Sequence, residues 1–258
     1  MNKSISFKFL TGTFLITYIM WGIILVANQI DFLEFGTPIS RVLIVIGGNA
    51  PLIVAYIVLK QQKVITGIKQ FAKEAFAIKQ HYLHYVLLIA FLGLYFGVPA
   101  IIQGVSIGEK LYIGFLNIPL MIPLGGLEEL GWRYVLQANL QRKLSFGVAT
   151  LITACFWAVW HLPLFLIEGT ANNFGLFTIM VFGMSFALAT IYNVSKSIWL
   201  CILFHSMINA LSLVWIIQDS IEVKIFTTVT MIILAFAITV YQKKKKGLDT
   251  ANINFFRM

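Results

Sequence analysis

Residues 146–167 read FGVATLITACFWAVWHLPLFLI, a run of 22 residues without Asp, Glu, Lys or Arg. At 1.5 Å per residue, a helix of this length covers the ~30 Å hydrocarbon layer of a bilayer. Similar runs recur along the 258-residue chain, which is 59% hydrophobic and only 11% charged. Soluble domains carry about 25% charged residues. The sequence therefore predicts an integral membrane protein and excludes a soluble globular fold.

Charged residues, Gly and Pro divide the chain into about eight predicted transmembrane helices. Their approximate ranges are 9–30, 39–59, 82–104, 112–140, 146–167, 174–194, 197–217 and 221–241. The fourth is interrupted by Pro119, Pro123 and the pair Gly125 and Gly126. We expect an all-α polytopic membrane protein with a single domain over residues 1–258.

The net charge of +9 is unevenly distributed along the sequence. If both termini are cytoplasmic, all the Lys and Arg residues except Arg41, Lys110 and Lys224 lie on or toward the cytoplasmic side. The charge thus indicates topology rather than nucleic-acid binding, and we expect both termini in the cytoplasm. Residues 60–80 alternate lysines with apolar residues, which favours an amphipathic basic helix on anionic membrane lipids over a plain solvated loop.

Five ionisable side chains inside the predicted spans are not explained by topology, and a charge there costs about 2.5–3.5 kcal/mol even on the most lenient scale. They are Glu128, Glu129, Arg133, His161 and His205. Counting from the inner ends of the spans predicts depths of ~21 Å for Glu128, ~24 Å for His161 and ~13 Å for His205. A tilt or a non-helical start of the seventh span would account for the shallower His205. One shared polar cavity is the simplest explanation.

The spacing within each span suggests how these groups are paired. Glu129 and Arg133 are four residues apart and can form an ion pair, whereas Glu128 points about 100° away and lacks that partner. His205 and Asn209 are also four apart, on one face. All these groups could simply cross-link helices.

Two carboxylates, two imidazoles and one amide, without a clearly activated Ser or Cys, favour attack by water on a carbonyl group. Glu128 would deprotonate the water, His161 would hold it or help polarise the peptide, and His205 with Asn209 would stabilise the oxyanion. Alternatively, Glu128, His161 and His205 bind Zn²⁺ or another divalent metal, whose bound water is acidic. The spacing is not that of HExxH zinc peptidases, and it leaves both possibilities open.

These residues resemble the motifs of the CPBP family, the CAAX protease and bacteriocin-processing group of intramembrane proteases, also called the Abi family. EExxxR matches Glu128, Glu129 and Arg133, and HxxxN matches His205 and Asn209. FxxxH matches His161 less closely, because Trp157 takes the place of its Phe. The resemblance implies a protease core at about 105–217 and a cavity open to the cytoplasm. The implied catalytic residues are Glu128, Glu129, His161, His205 and Asn209, supported by Arg133 and Trp157.

The resemblance implies an intramembrane endopeptidase, with or without a metal, acting on a membrane-associated protein or peptide. CAAX-type proteins and bacteriocin or pheromone precursors are the candidate substrates. A non-catalytic membrane adaptor or bacteriocin self-immunity protein is the alternative, while a transporter is disfavoured because no repeat is visible. The abundance of Lys, Ile and Phe favours a bacterium of low genomic GC content, hence the bacterial plasma membrane.

Overall fold

The computed structural model describes residues 3–218 and 220–245, which are almost entirely helical. The helices are α1 (Lys3–Gln29), α2 (Pro38–Gly48), α3 (Ala50–Gln61), α4 (Ile68–Ala75), α5 (Tyr82–Gln103), α6 (Leu111–Met121), α7 (Gly126–Leu140), α8 (Phe146–Ile167), α9 (Phe174–Ser195), α10 (Ile198–Leu211) and α11 (Ile221–Lys245). A short antiparallel pair joins β1 (Ser106–Ile107) to β2 (Trp215–Ile216). The predicted all-α membrane fold is confirmed.

The number of membrane spans is five to seven in the described residues, so the predicted count of eight is not confirmed. Five helices, namely α1, α5, α8, α9 and α11, are long and apolar enough to cross a bilayer. Two further spans are bent pairs, α2 with α3 at 41° and α6 with α7 at 40°. The helix in the predicted seventh span, α10, has only 14 residues, or about 21 Å of helix. It is therefore too short to cross the bilayer alone.

The bend between α2 and α3 was not predicted, since the apolar run there is continuous. Pro51 has no N–H to offer the Gly47 carbonyl one turn earlier, and the Thr17 hydroxyl donates to that carbonyl at 2.7 Å. Asn49, at the bend, donates from Nδ2 to the Val45 carbonyl at 2.9 Å and to the Pro123 carbonyl at 3.0 Å. The two interrupted segments therefore meet at their breaks, next to the start of α7.

The basic segment at 60–80 contains less helix than predicted. Only α4 is helical between Gln61 and Tyr82, and it has eight residues. Its apolar face is buried through Phe71 and Ala75, and the Phe71 ring packs on the Tyr56 ring at 5.5 Å between centroids. The helix is therefore docked on the bundle through its apolar residues, while contact with lipids and the cytoplasmic location of the segment stay predictions.

Helix α10 forms the centre of the bundle. It packs against α5, α6, α7 and α9, and most of its side chains are buried. Ser197 caps its first turn by accepting from the Leu200 N–H. Polar residues carried by α10 are thus enclosed by four helices.

Candidate active site

A cavity of about 410 Å³ lies where α7, α8 and α10 converge. The residues predicted from the motifs that line it are Glu128, Trp157, His161, His205 and Asn209. His205 reaches the same cavity as Glu128 and His161 although its predicted depth was shallower. Counting residues from Lys196 assumed that α10 starts at the membrane surface, whereas this helix is too short to be a full span.

Two consecutive glycines, one just before α7 and one at its first residue, allow α7 to approach α10 closely beside the cavity. Gly125 has φ +149°, a conformation that side chains rarely adopt, and a Cβ there would lie 2.5 Å from Asn209 Nδ2 and 3.2 Å from His205 Nε2. A Cβ on Gly126 would overlap the Ser206 hydroxyl. Both glycines are therefore needed for packing, and the two nitrogen atoms converge on the space beside Gly125.

Replacing Gly125 with Ala should disrupt this junction. The backbone conformation alone costs about 1–3 kcal/mol with a side chain present, and the new methyl would displace Asn209. We expect a lower melting temperature in detergent and severe loss of any peptide hydrolysis. Gly93→Ala is the matched control, since its Cβ would meet no atom within 4 Å. Equal melting temperatures for the two variants would contradict this explanation.

Glu128 is held in the cavity wall by an indole. Trp157 donates from Nε1 to Glu128 Oε2 at 2.9 Å. Only 8% of Glu128 is exposed. Trp157 therefore orients the carboxylate through this bond.

Glu129 is fully buried and does not line the cavity. Its Oε2 accepts from Arg133 Nε at 2.9 Å, as the spacing predicted, and its Oε1 accepts from His205 Nδ1 at 2.8 Å. Both oxygens are thus engaged by other side chains, and a catalytic part for Glu129 stays a prediction. Its carboxylate positions His205 and balances the charge of Arg133.

Arg133 lies on the π-helical turn Trp132–Gln137. Such turns are rare in proteins as a whole, but where they occur they are often at functional sites. Its Nη2 donates to the Ser185 hydroxyl at 3.1 Å, and its guanidinium lies 5.0 Å from the centre of the Trp157 ring. Ser185, on α9, was missed by the sequence analysis because no motif contains it. Arg133 thus links α7, α8 and α9 behind the cavity wall.

His161 is oriented by its own helix. Its Nδ1 lies 2.9 Å from the Trp157 carbonyl, which can only accept, so Nδ1 carries the proton. In the neutral ring, Nε2 is then an acceptor. The ring packs between Trp160 and Phe177, at 4.6 and 4.8 Å between centroids.

Other cavity residues come from outside the motifs. Asn49 and Tyr95 add polar groups from the second and third predicted spans, and Phe177, Met180 and Met184 supply an apolar wall from α9. Asn49 could have been suspected as an amide inside an apolar run just before Pro51. The α9 residues give no such signal, because apolar side chains on a membrane helix are expected on every face.

The predicted metal site depends on how the possible ligand side chains are arranged. Within the described ranges, no group of three or more His, Cys, Asp and Glu side chains is arranged to hold a metal ion. His161 and His205 each use Nδ1 in a hydrogen bond and keep Nε2, which is the one ring nitrogen that a metal ligand needs, so a metal stays a prediction. The reaction proposed below therefore uses only the groups of this chain.

Comparison with known proteins agrees with the motifs. A family model described as "Type II CAAX prenyl endopeptidase Rce1-like" matches residues 108–211, which contain every motif residue. The CAAX prenyl protease 2 of Methanococcus maripaludis (strain DSM 14266) is 27% identical over 262 residues, covering 90% of this chain and 92% of that protein. Both matches support the resemblance of the chain to the CPBP intramembrane proteases.

The two matches fit the multi-pass membrane fold and support a hydrolase that cleaves peptide bonds. They also support a membrane-associated protein as the general kind of substrate. Neither match addresses bacteriocin or pheromone precursors, self-immunity or a metal, which stay predictions. The same holds for the orientation of the termini and the bacterial origin.

Proposed function

We propose that this protein hydrolyses a peptide bond near the C-terminus of a lipid-modified, membrane-associated protein, with water activated by Glu128. The proposal rests on one observation: one carboxylate, two imidazoles and one amide from the motifs line a single cavity inside an apolar bundle. Water is scarce in such surroundings, and a carboxylate there acts on the few molecules that enter.

Water activation uses the wall formed by α7 and α8. Glu128, oriented by Trp157, accepts a proton from the attacking water. His161 donates from Nδ1 to the Trp157 carbonyl, so its Nε2 accepts a hydrogen bond from the second proton of the water. These two contacts orient a lone pair of the water oxygen toward the carbonyl carbon. The water oxygen forms a bond to that carbon, and the carbonyl oxygen becomes an oxyanion.

The oxyanion is stabilised from α10. Asn209 donates from Nδ2, and His205 donates from Nε2 when that nitrogen carries a proton, while the contact of Nδ1 with Glu129 Oε1 fixes the orientation of the ring. The C–N bond then breaks as Glu128 returns its proton to the leaving nitrogen. The products are a carboxylic acid, which retains the second proton of the water, and an amine; transfer of that proton between them gives a carboxylate and an ammonium group, and Glu128 is ready for the next water.

The proposed substrate class rests on the cavity walls and on the relative. The walls beyond the polar groups are apolar, with Ile44, Val45, Leu164 and Phe177 among them, and therefore suit a lipid-bearing or hydrophobic chain. The relative is named a CAAX prenyl protease, which makes a prenylated peptide ending in a CAAX sequence the first substrate to try.

The direct test is to reconstitute the purified protein in liposomes with a farnesylated CAAX peptide. The proposal expects release of the last three residues, detected by mass spectrometry. An unmodified peptide of the same sequence is the control for the lipid. Cleavage of neither peptide, by protein that is folded, would contradict the proposed substrate, and equal cleavage of both would contradict the requirement for the lipid.

Replacing Trp157 with Phe should lower kcat about three- to tenfold with little change in KM. The change removes the hydrogen bond to Glu128, worth about 1 kcal/mol, but keeps an aromatic ring, as in the family motif. Trp199→Phe is the matched control, because Trp199 is on α10 but does not line the cavity. The same loss of activity in both variants would show that the indole acts through general packing.

A further inference from the structure

A second pocket, of about 390 Å³, lies at the end of the bundle where α7, α9 and α11 finish. Its lining residues are Ala138, Gln141, Arg142, Tyr192, Asn193, Lys196 and Gln242. None of them lines the catalytic cavity. Gln141 follows Glu128 by 13 residues and comes directly after the end of α7. At about 1.5 Å per residue, the two sites are about 20 Å apart.

The pocket combines positive charge with hydrogen-bond donors. Arg142 and Lys196 contribute cationic groups, and no Asp or Glu is among the described residues that line it. Glu74, which acts electrostatically on Tyr192, lies outside the lining. The lining therefore favours an anion.

Two amide nitrogens of this pocket are buried without a partner. Gln141 Nε2 and Asn193 Nδ2 are inaccessible to solvent and make no hydrogen bond within the part of the chain that the structure describes. Leaving a buried donor unsatisfied costs about 1–3 kcal/mol. Both residues line the pocket, next to an arginine, so a turn of either side chain would bring its donor to an acceptor with several oxygen atoms bound there.

The position of the pocket identifies the source of that acceptor. The last turn of α11 carries Lys243, Lys244 and Lys245, and the apolar parts of α9 and α11 lie immediately behind. The pocket is thus at the level where a lipid headgroup meets the hydrocarbon layer. Basic pockets between transmembrane helices at this level are suited to anionic headgroups.

We propose that this pocket binds the phosphate of an anionic phospholipid headgroup, as a site separate from the catalytic cavity. Arg142 pairs with the phosphate oxygens, and the amides of Gln141 and Asn193 donate to the same group. The bound lipid would join the ends of α7, α9 and α11 and stabilise the bundle.

The test is native mass spectrometry of the full-length protein in a neutral detergent, titrated with phosphatidylglycerol or phosphatidylcholine. We expect one tight phosphatidylglycerol site, which Arg142→Gln weakens at least about fivefold, as expected for loss of a basic residue at a lipid surface. Lys143→Gln removes the same charge from the neighbouring residue, which is exposed and outside the pocket, and should change the affinity less than twofold. Asn193→Leu should weaken the site as well.

Equal effects of Arg142→Gln and Lys143→Gln, or equal binding of the two lipids, would overturn the proposal. Inorganic phosphate is titrated in parallel while the melting temperature of lipid-free protein is followed. A shift that phosphate alone produces in the wild type and not in Arg142→Gln would overturn the lipid assignment in favour of a soluble phosphate compound. Arg142 and Lys143 are exposed, so gel filtration should show both charge variants folded, and the same measurement checks Asn193→Leu.

Discussion

Glu128→Gln is expected to reduce kcat for peptide hydrolysis by about 10²–10⁴-fold while KM stays nearly constant. The amide has almost the same shape and can still accept from Trp157 Nε1, so the cavity should keep its geometry. What it loses is the ability to take a proton from water and return it to the leaving nitrogen. The kinetic loss therefore reports the chemical step and not the fold.

The control for this variant is Glu109→Gln, which removes an exposed carboxylate outside the cavity and should leave kcat unchanged. Melting temperatures of both proteins should match the wild type. Persistent hydrolysis in Glu128→Gln at the wild-type rate would refute the role of this carboxylate. If neither the wild type nor Glu128→Gln hydrolysed peptides, and Glu128→Gln kept the biological phenotype of the wild type, the non-catalytic adaptor would be favoured.

Glu129→Gln is expected to have the largest effect on stability. Arg133 is fully buried, and removing its charged partner leaves an uncompensated cation inside the bundle, at a cost of about 3–5 kcal/mol. His205 also loses the acceptor that fixes its ring. We expect poor yield and a melting temperature lower by roughly 10 °C, measured on detergent-solubilised protein.

A double variant separates the two roles of Glu129. In Glu129→Gln with Arg133→Met, no charge remains unpaired, so much of the lost stability should return. Activity should stay low, because His205 still lacks its carboxylate partner. Recovery of both stability and activity in the double variant would show that Glu129 acts only as the counter-ion of Arg133.

Local spacing predicted the features that depend on one helix. The ion pair of Glu129 with Arg133 follows from a separation of four residues, and the range 146–167 agrees with α8 at both ends. These features are set by helix geometry and by the flanking Ser145 cap, which accepts from the Val148 N–H. Sequence analysis can predict them without knowledge of the neighbouring helices.

Features that depend on contacts between helices could not be predicted in this way. The bond from His205 to Glu129 joins residues 76 positions apart, and it follows from the central position of the short helix α10. The bend at Asn49 depends on partners supplied by Thr17 and Pro123. An apolar run carries no signal for either contact, because lipid and protein surroundings select the same side chains.

The most direct test of the account is hydrolysis of the farnesylated CAAX peptide by the reconstituted protein in water enriched in ¹⁸O. The account predicts that the wild type releases the C-terminal tripeptide and leaves one ¹⁸O atom in the new carboxylate of the farnesylated fragment. The Glu128→Gln protein, at equal amount and equal melting temperature, should give at most about one hundredth of that product. Equal amounts of labelled product from the two proteins would contradict the account.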